Sequence, residues 1–151
     1  MITEFIYLKR VHEDILASTV LLWQLLQERK PEESIWHHRM PTPQEHTQYV
    51  MSDPHPHWYV VHCGENMVGS CCITVNDEVG ISILNEYKRR GFGKAAVQAL
   101  MAKVNGERLL ANINYKNRPS VGLFKSLGWR QIGMIDTEEG VTYVTMESRP
   151  R

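Results

Sequence analysis

A short stretch near the middle of the chain constrains its fold most strongly, because residues 88–94 place two glycines inside a cluster of four cations. Before this stretch, β-branched residues alternate in the pattern of a strand at Val79, Ile81 and Ile83. After it, apolar residues recur with the spacing of one helix face at Val97, Leu100, Met101 and Val104. A glycine turn that opens a helix exposes backbone N–H groups at the positive end of the helix dipole. This arrangement predicts an anion site, and the glycines and cations together suit a diphosphate.

Two common phosphate-binding motifs fit this stretch poorly. A nucleotide-hydrolase P-loop ends in Gly-Lys-Ser or Gly-Lys-Thr, whereas Lys94 is followed by Ala95. A dinucleotide fingerprint tolerates Ala96 at its third glycine position, but it also needs an acidic residue about 20 positions on, and flanking cations are unusual in it. Gly-x-Gly alone also occurs in ordinary turns and helix starts, so a second motif is needed to distinguish an anion site from an ordinary turn.

That second motif reads NRPSVGLFKSLGW from position 117 and follows another predicted strand. Asn117 predicts a helix N-cap, Pro119 suits the first helical turn, and Gly128 ends the helix as a C′ glycine does. Over residues 61–146 the chain resembles the GNAT superfamily of acyl-CoA-dependent N-acyltransferases. The first motif is similar to the superfamily's pyrophosphate motif, Arg/Gln-x-x-Gly-x-Gly/Ala. The second is similar to its Asn-x-x-Ser/Ala signature followed by Leu-Phe/Tyr-x-x-Leu-Gly-Phe/Tyr.

The order of predicted elements agrees with this resemblance. Apolar and turn patterns predict strands near residues 5–8, 58–63, 67–75, 79–84, 108–114, 130–135 and 141–146, and helices near 12–28, 43–51, 92–104 and 117–127. The resemblance implies a mixed α+β GNAT fold, with a central twisted, mostly antiparallel sheet of about seven strands, splayed between the fourth and fifth, and about four flanking helices. We expect one domain over residues 1–147 and a frayed tail over 148–151.

Composition excludes several classes of protein. The 17 basic residues balance 17 acidic residues, so the chain has no general attraction to nucleic acid or to an anionic membrane. No apolar run reaches the roughly 18–20 residues of a membrane span, and the first residues lack the apolar core of a signal peptide. The three cysteines are odd in number, and Cys71 and Cys72 are adjacent in a predicted strand, which fits reduced thiols. We therefore expect a cytoplasmic protein.

The segment between the first two predicted helices, residues 32–40, has no clear period and contains Trp36. By the resemblance it is expected to face the acceptor. Two histidine pairs tempt a metal interpretation: His37-His38 in this segment and His55-x-His57 beyond it. Neither has the helical i, i+4 spacing with a third ligand that a zinc site needs, so we expect no metal.

The resemblance implies acetyl-CoA as the acyl donor, with its pantetheine arm lying between the splayed strands like a missing strand. The main chain of Ile83 and Leu84 is then expected to meet the pantetheine and the thioester. The main chain from residue 89 to residue 94 is expected to bind the diphosphate. This loop consists of Arg89, Arg90, Gly91, Phe92, Gly93 and Lys94.

The second motif supplies the remaining cofactor contacts that the resemblance implies. Asn117 is expected to hydrogen-bond the pantetheine arm, and Ser120 and Phe124 are expected to line its channel. Three departures concern the chemistry: many relatives carry Tyr at the Phe124 position as an acid for the leaving thiolate, some place a Glu base at the Asn112 position, and Lys88 replaces the usual Arg or Gln. The chain keeps the cofactor half of the pattern and lacks the best-known catalytic side chains.

An amine is protonated in water near neutral pH, so a base must remove its proton before it attacks a thioester. Glu78, at the start of the fourth predicted strand beside Asp77, is one candidate base. His46 is the other, because it lies on the short helix that usually borders the acceptor pocket in this superfamily. The structural alternatives are a solvated strand end for Glu78 and an ordinary exposed helix position for His46.

For the acceptor, short fragments around Leu22-Trp23, Glu45-His46 and Ile81-Ser82-Ile83 look like the branch that acetylates amino-sugar nucleotides. We therefore expect transfer to a primary amine of a small molecule, with an amino sugar or sugar nucleotide as the leading choice. A protein or peptide N-terminal amine and other small amines stay open. So does a catalytically silent acyl-CoA-binding module, which Phe124 and Asn112 favour. A homodimer is left open beside a monomer.

Overall fold

The computed structural model describes residues 5–30 and 39–148. Its strands are β1 (Ile6–Arg10), β2 (His57–Cys63), β3 (Asn66–Ile73), β4 (Val79–Ile83), β5 (Leu110–Asn114), β6 (Arg130–Asp136) and β7 (Thr142–Glu147). Its helices are α1 (Ile15–Glu28), α2 (Pro43–Met51), α3 (Phe92–Lys103) and α4 (Arg118–Ser126), with 3₁₀ turns at Val11–Asp14 and Asn85–Tyr87. None of the helices in these two ranges has the length and apolar character of a membrane span.

The strands form two antiparallel sheets, in the orders β1-β2-β3-β4 and β5-β7-β6. Between the two sheets, an isolated parallel bridge joins Glu78 to Leu110, and the N–H of Leu110 donates to the carbonyl of Asp77 at 2.9 Å. Beyond this bridge β4 and β5 pair with other strands and not with each other. The predicted mixed fold, with a splay between the fourth and fifth strands, is therefore confirmed.

The helices cover both faces of the sheets, because successive strand residues point to opposite sides. On one face α3 and α4 bury their apolar stripes, with Leu100 and Val97 fully buried against the strands. On the other face α1 and α2 pack their own apolar residues on Trp58, Val60 and Leu84. The sheets are thus the middle layer, with α3 and α4 on one side and α1 and α2 on the other.

The short helix α2 begins where the sequence predicts, because its start is determined by local hydrogen bonds. Glu45 N–H donates to the Thr42 hydroxyl at 3.1 Å, and Thr42 N–H donates to the Glu45 carboxylate at 2.9 Å. This reciprocal capping box, with Pro43 in the first turn, leaves two N-terminal donors satisfied. It places His46 about one turn and Tyr49 about two turns beyond Thr42 along the helix.

The paired part of the chain extends further towards its end than expected. Ser148 is buried, its N–H donates to the carbonyl of Leu109 at 3.0 Å, and its hydroxyl accepts from the Leu109 N–H at 2.9 Å. Ser148 is therefore not frayed, because it continues the β5–β7 pairing. Residues 1–4 and 149–151 lie outside the described ranges, and so do Trp36, His37 and His38.

Candidate active site

The pairing of β4 with β3 determines which backbone groups of β4 face the splay. The N–H of Leu84 donates to the carbonyl of Val68 at 2.9 Å, so this group is used within the sheet. Hydrogen-bonded and non-hydrogen-bonded pairs alternate along an antiparallel ladder, and Ile81 and Ile83 occupy the non-bonded positions. Their N–H and C=O groups therefore point away from β3, into the gap. Of the two predicted backbone contacts, the structure makes that of Ile83 available and commits the N–H of Leu84 elsewhere.

The opposite wall of the gap follows the same rule. The N–H of Tyr115 donates to the carbonyl of Thr142 at 3.0 Å, which fixes the bonded positions of the β5–β7 ladder. Asn112 falls at a non-bonded position, so its main-chain groups point away from β7. Backbone donors and acceptors of both strands thus face one cleft. An extended chain that carries amide groups can pair with them as an additional strand would.

The diphosphate loop reaches α3 through left-handed backbone. Gly91 is the N-cap residue of α3 with φ +83°, and Arg89 has φ +64°. The first N–H groups of a helix lack intrahelical acceptors, so this end of α3 presents donors to an anion, as predicted. Gly93 has a different role, because an added Cβ would lie 2.9 Å from Leu123 Cδ1 of α4. Gly91 is thus needed for the turn and Gly93 for the packing of two helices.

The side chains of the loop divide into exposed cations and a buried anchor. Phe92 is 1% exposed, so only its main chain can meet a ligand. The guanidinium of Arg90 lies over the rings of Tyr87 and Phe92, at 5.7 and 5.2 Å from their centroids. Arg89 and Lys94 are exposed. Backbone donors and three cations are therefore brought together at one end of the cleft.

In the second motif, the predicted N-cap is present. The side-chain Oδ1 of Asn117 accepts from the Ser120 N–H at 3.4 Å, which leaves the side-chain NH₂ of Asn117 outside the cap. Ser120 is half-buried. Phe124 is 1% exposed and its ring centroid lies 4.7 Å from that of Trp129, so it belongs to the core. The assignment of Asn117, Ser120 and Phe124 to the pantetheine channel stays a prediction.

The candidate base Glu78 lies where the two sheets part. The amide of Asn112 donates a hydrogen bond to the Glu78 carboxylate, and the hydroxyl of Thr145 donates to the amide oxygen of Asn112 at 2.6 Å. Asn112 is buried, whereas Glu78 is half-buried. The position that some relatives fill with a Glu base therefore holds a residue that orients Glu78. Sequence reasoning missed this pair because 34 positions separate its members.

A cavity of about 620 Å³ lies on the same face of β3 and β4, under α1 and α2. Its floor exists because small residues pair across the two strands: Ser70 with Ser82, and Cys72 with Gly80. An added Cβ at Gly80 would lie 2.9 Å from the Cys72 sulfur, so a larger residue would begin to fill the space. Residues two positions apart in a strand point to the same side of the sheet. The Glu78 side chain therefore faces the side on which Gly80 and Ser82 lie.

His46 forms part of the cavity wall and is 5% exposed. Its Nε2 lies 2.9 Å from the carbonyl oxygen of Thr19 on α1. A carbonyl oxygen can only accept, so Nε2 carries a hydrogen and Nδ1 is the nitrogen that can take a proton. The Trp23 ring lies 5.3 Å away and helps to hold the imidazole. Of the two predicted candidate bases, His46 thus lines the cavity, whereas Glu78 lies two positions before Gly80 of its floor, where the two sheets part.

Cysteine chemistry is disfavoured at this site. Burial raises the pKa of Cys72 to about 11, and the nearby Glu78 carboxylate adds to the effect. Burial also raises the pKa of Cys71. Both thiols are therefore protonated near neutral pH and are poor nucleophiles. Among the described residues, no group of three or more His, Cys, Asp and Glu side chains is arranged to hold a metal.

Sequence reasoning missed a hydrogen-bonded pair in the cavity wall. The Tyr49 hydroxyl lies 2.8 Å from Nε2 of His55, and both rings meet Trp58 edge to face. Burial raises the pKa of Tyr49 and lowers the pKa of His55, so both groups favour their neutral forms. A sequence signal existed, because Tyr49 lies three positions after His46 and therefore on the same face of α2.

Three charged side chains line the rim of the cavity: Arg29, Arg39 and Glu45. Arg39 donates to both carboxylate oxygens of Glu45, at 3.1 and 3.3 Å. The hydrogen bonds from Arg39 and from the Thr42 N–H lower the pKa of Glu45 to about 2. Glu45 is therefore ionised and compensated at neutral pH.

Comparisons with known proteins agree with this geometry. The model of the acetyltransferase (GNAT) family matches residues 20–129. An N-alpha-acetyltransferase of Sulfurisphaera tokodaii is 31% identical over 61 residues, which cover 38% of this chain and 36% of that protein. The matched segment thus spans about a third of that relative's length.

Two solved structures show how far the fold is shared. The ribosomal L7/L12 alpha-N-protein acetyltransferase RimL, in complex with coenzyme A, has a TM-score of 0.79 at 16% identity, over 99% of this chain and 96% of that chain. The spermidine N-acetyltransferase of Vibrio cholerae, in complex with coenzyme A and spermine, has a TM-score of 0.78 at 14% identity, over 95% of this chain and 94% of that chain. At these identities the likeness establishes the fold and leaves the acceptor open.

Proposed function

Because the chain belongs to the acetyltransferase (GNAT) family, we propose that it is an N-acetyltransferase that moves the acetyl group of acetyl-CoA to a primary amine of a small molecule. The observation that carries this proposal is the cleft between β4 and β5. Main-chain groups of Ile81, Ile83 and Asn112 point into it, and the N-terminus of α3 with its cations lies at its end. The neighbours solved with coenzyme A support the choice of donor.

Acetyl-CoA supplies an activated acyl group, and the residues of the chain bind it, orient it and remove a proton from the amine. Glu78 is the leading proton acceptor, because Asn112 holds its carboxylate where β4 and β5 part. His46 is the second candidate proton acceptor, and its Nδ1 atom would take the proton. Phe124 has no proton to give, so no acid acts from that position. A CoA thiolate is a good leaving group, and positioning of the two substrates supplies much of the acceleration.

The acceptor that the cavity suits best is an amino sugar or sugar nucleotide. The Ser70 and Ser82 hydroxyls form a neighbouring pair on the floor, where sugar hydroxyls can exchange hydrogen bonds with them. The Tyr49 and Trp58 rings lie in the wall and offer surfaces for the apolar face of a sugar ring. A cavity of about 620 Å³ has room for a sugar with a substituent.

A peptide α-amine is the second candidate, and one observation favours it. The sequence relative at 31% identity is an N-alpha-acetyltransferase. The apolar wall of α1, formed by Leu22, Leu25 and Leu26, could accept the first side chain of such a peptide.

A thiol-release assay with acetyl-CoA tests the proposal. We expect release that depends on added amine and is fastest with amino sugars or their nucleotides, compared with peptides that begin in Met or Ser, with spermidine, and with no amine. Fastest release with the peptides would transfer the assignment to N-terminal acetylation. Binding of acetyl-CoA with no release for any amine would identify a catalytically silent module.

A further inference from the structure

The charges around the acceptor cavity do not balance. Of the described charged side chains that line it, two are basic and one is acidic. Glu45 is compensated by two hydrogen bonds from Arg39 and one from the Thr42 N–H. That leaves the guanidinium of Arg29, which makes no side-chain hydrogen bond or ion pair within residues 5–30 and 39–148.

Arg29 is the C-cap residue of α1, where the helix dipole alone favours a cation. Its charge is therefore not enough to identify a ligand. Its surroundings add the second observation, because Arg29 is half-buried in the wall of a cavity beside Leu22, Leu25 and Leu26. Apolar neighbours reduce the screening of a charge, so an anion that enters this cavity interacts with Arg29 more strongly than it would at an open surface.

The same balance argues against polycations. Glu45 is the one acidic side chain among the described lining residues, and both of its oxygens are engaged. A polyamine in this cavity would bring further ammonium groups beside Arg29 and Arg39, and none of the described lining residues has a free carboxylate to receive them. Buried charges without partners are costly, so such an acceptor is disfavoured.

We propose that the acceptor of this enzyme carries a phosphate as well as the reacting amine, and that Arg29 binds this phosphate. The inference rests on the proposed function and narrows the acceptor to phosphorylated amino sugars, either sugar phosphates or nucleotide diphosphate sugars. The phosphate is not the reacting group, so Arg29 contributes binding that is equal in the ground and transition states. Its removal is expected to raise KM and to leave kcat nearly unchanged.

The test uses matched acceptors and matched variants. Glucosamine, glucosamine 1-phosphate and UDP-glucosamine differ in the phosphate and the nucleotide, and spermidine represents polycations. For the wild type we expect kcat/KM to be higher for a phosphorylated sugar than for glucosamine, and lowest for spermidine. Arg29→Gln should raise KM for the phosphorylated sugar about 10- to 100-fold, the worth of hydrogen bonds to a charged group, and should raise KM for glucosamine much less. The two phosphorylated sugars distinguish a monoester from a diphosphate as the group that is bound.

Two further variants separate charge from fold. Arg29→Lys keeps the cation and should retain most of the preference for phosphate. Arg10→Gln removes a guanidinium on β1 that does not line the cavity, and it should not change KM for either acceptor. Three results would overturn the inference. The first is equal kcat/KM for glucosamine and its phosphorylated forms, and the second is an unchanged preference of Arg29→Gln for the phosphorylated sugar. The third is fastest turnover of spermidine or a peptide.

Failure of every amine would contradict the proposed function and not by itself this inference. In that case, calorimetric titration of UDP-glucosamine into the wild type and Arg29→Gln decides. Binding that weakens in Arg29→Gln supports the phosphate site, and no binding to either protein overturns it.

Discussion

At the scale of single residues, the proposed base Glu78 lies at the junction of the two sheets. Glu78 receives a hydrogen bond from the Asn112 amide, and Asn112 is held in turn by the hydroxyl of Thr145. The arrangement gives Glu78 a fixed orientation towards the cleft although it lies at the end of a strand.

We expect Glu78→Gln to lower kcat/KM by about 10²–10⁴, the usual contribution of a general base, and to remove the acidic limb of the pH–rate profile. The measurement is steady-state thiol release across pH. Glu65→Gln, in the exposed turn between β2 and β3, is the control and should be silent. An unchanged rate and profile in Glu78→Gln would assign the proton to His46 or to water.

Gly91 gives a second prediction at this scale, because its φ of +83° is one that other residues adopt at a cost. Gly91→Ala should lose about 1–2 kcal/mol of unfolding free energy and should also weaken acetyl-CoA binding, since the turn that presents the α3 donors is displaced. Gly64→Ala, at φ +59° in the β2–β3 turn, has comparable strain and open space around it. Equal acetyl-CoA affinity for the two variants in calorimetric titration would contradict the role of the turn.

Single residues differ in how far the sequence reveals them. Gly91 and Asn117 were predictable because a turn and a helix cap depend on neighbours in the chain. The place of Arg29 in the cavity wall was not, because it depends on how α1 lies on the sheet. No local pattern encodes that placement.

At the scale of elements, α1 is joined to the segment that follows β4 by a hydrogen bond. The Glu28 carboxylate at the end of α1 accepts from the N–H of Asn85 at 2.7 Å, where the chain leaves β4 for the diphosphate loop. Leu84, the preceding residue, is buried in the cluster that α1 covers. The end of β4 is thus held from the acceptor side.

We expect Glu28→Ala to weaken acetyl-CoA binding by about tenfold, because the loop loses an anchor of about 1–2 kcal/mol. Glu28→Gln keeps an oxygen that can accept from the Asn85 N–H, and it should bind nearly as well as the wild type. Calorimetric titration compares the three proteins. Equal affinity of Glu28→Ala and the wild type would show that the loop holds its shape without this contact.

The smaller sheet is joined by a carboxylate between two guanidinium groups. Glu147 of β7 accepts from Arg108 at 2.5 Å and from Arg130 of β6 at 2.6 and 2.7 Å. The hydrogen bonds from Arg130 and Arg108 lower the pKa of Glu147 below its ordinary value of 4.5. A carboxylate with a lowered folded-state pKa stabilises the fold above its unfolded pKa and loses that contribution as the pH falls.

Glu147→Gln should therefore be less stable than the wild type near pH 7, and the difference should shrink as the pH falls below about 4.5. Urea denaturation at several pH values measures it. Glu139→Gln, an exposed carboxylate in the β6–β7 turn, serves as the comparison. A difference that is constant with pH would mean that packing, and not charge, holds the three strands.

Elements also show why prediction succeeds unevenly. The start of α2 was predicted to the residue, because its capping box is local. The sequence predicts an apolar stripe on α1 at Ile15, Thr19, Leu22, Trp23 and Leu26. Of these Leu22 is buried, whereas the other buried residues of the helix, Ser18, Leu21 and Leu25, lie outside the stripe. Leu16 and Val20 are exposed, so this helix is apolar nearly all round. Periodicity then cannot determine which face the sheet covers.

At the scale of the whole molecule, the separation of the two sheets creates the cleft, and each face of the sheets is covered by a different pair of helices. Their separation beyond Glu78 and Leu110 leaves a cleft with main-chain donors and acceptors on both walls. The face covered by α1 and α2 contains the cavity, and the face covered by α3 and α4 contains the main core. The splay was predictable from the two motifs through family resemblance. The cavity was not, because it depends on small residues meeting across β3 and β4.

The most direct test of this account is to detect the product. Acetyl-CoA labelled in its acetyl group is incubated with the protein and a phosphorylated amino sugar, and the acceptor is analysed by mass spectrometry while free thiol is counted. The account predicts one labelled acetyl group on the amine nitrogen for each thiol released, with both lost in step in Glu78→Gln. Bound acetyl-CoA without a labelled product from amino sugars, peptides or polyamines would contradict it.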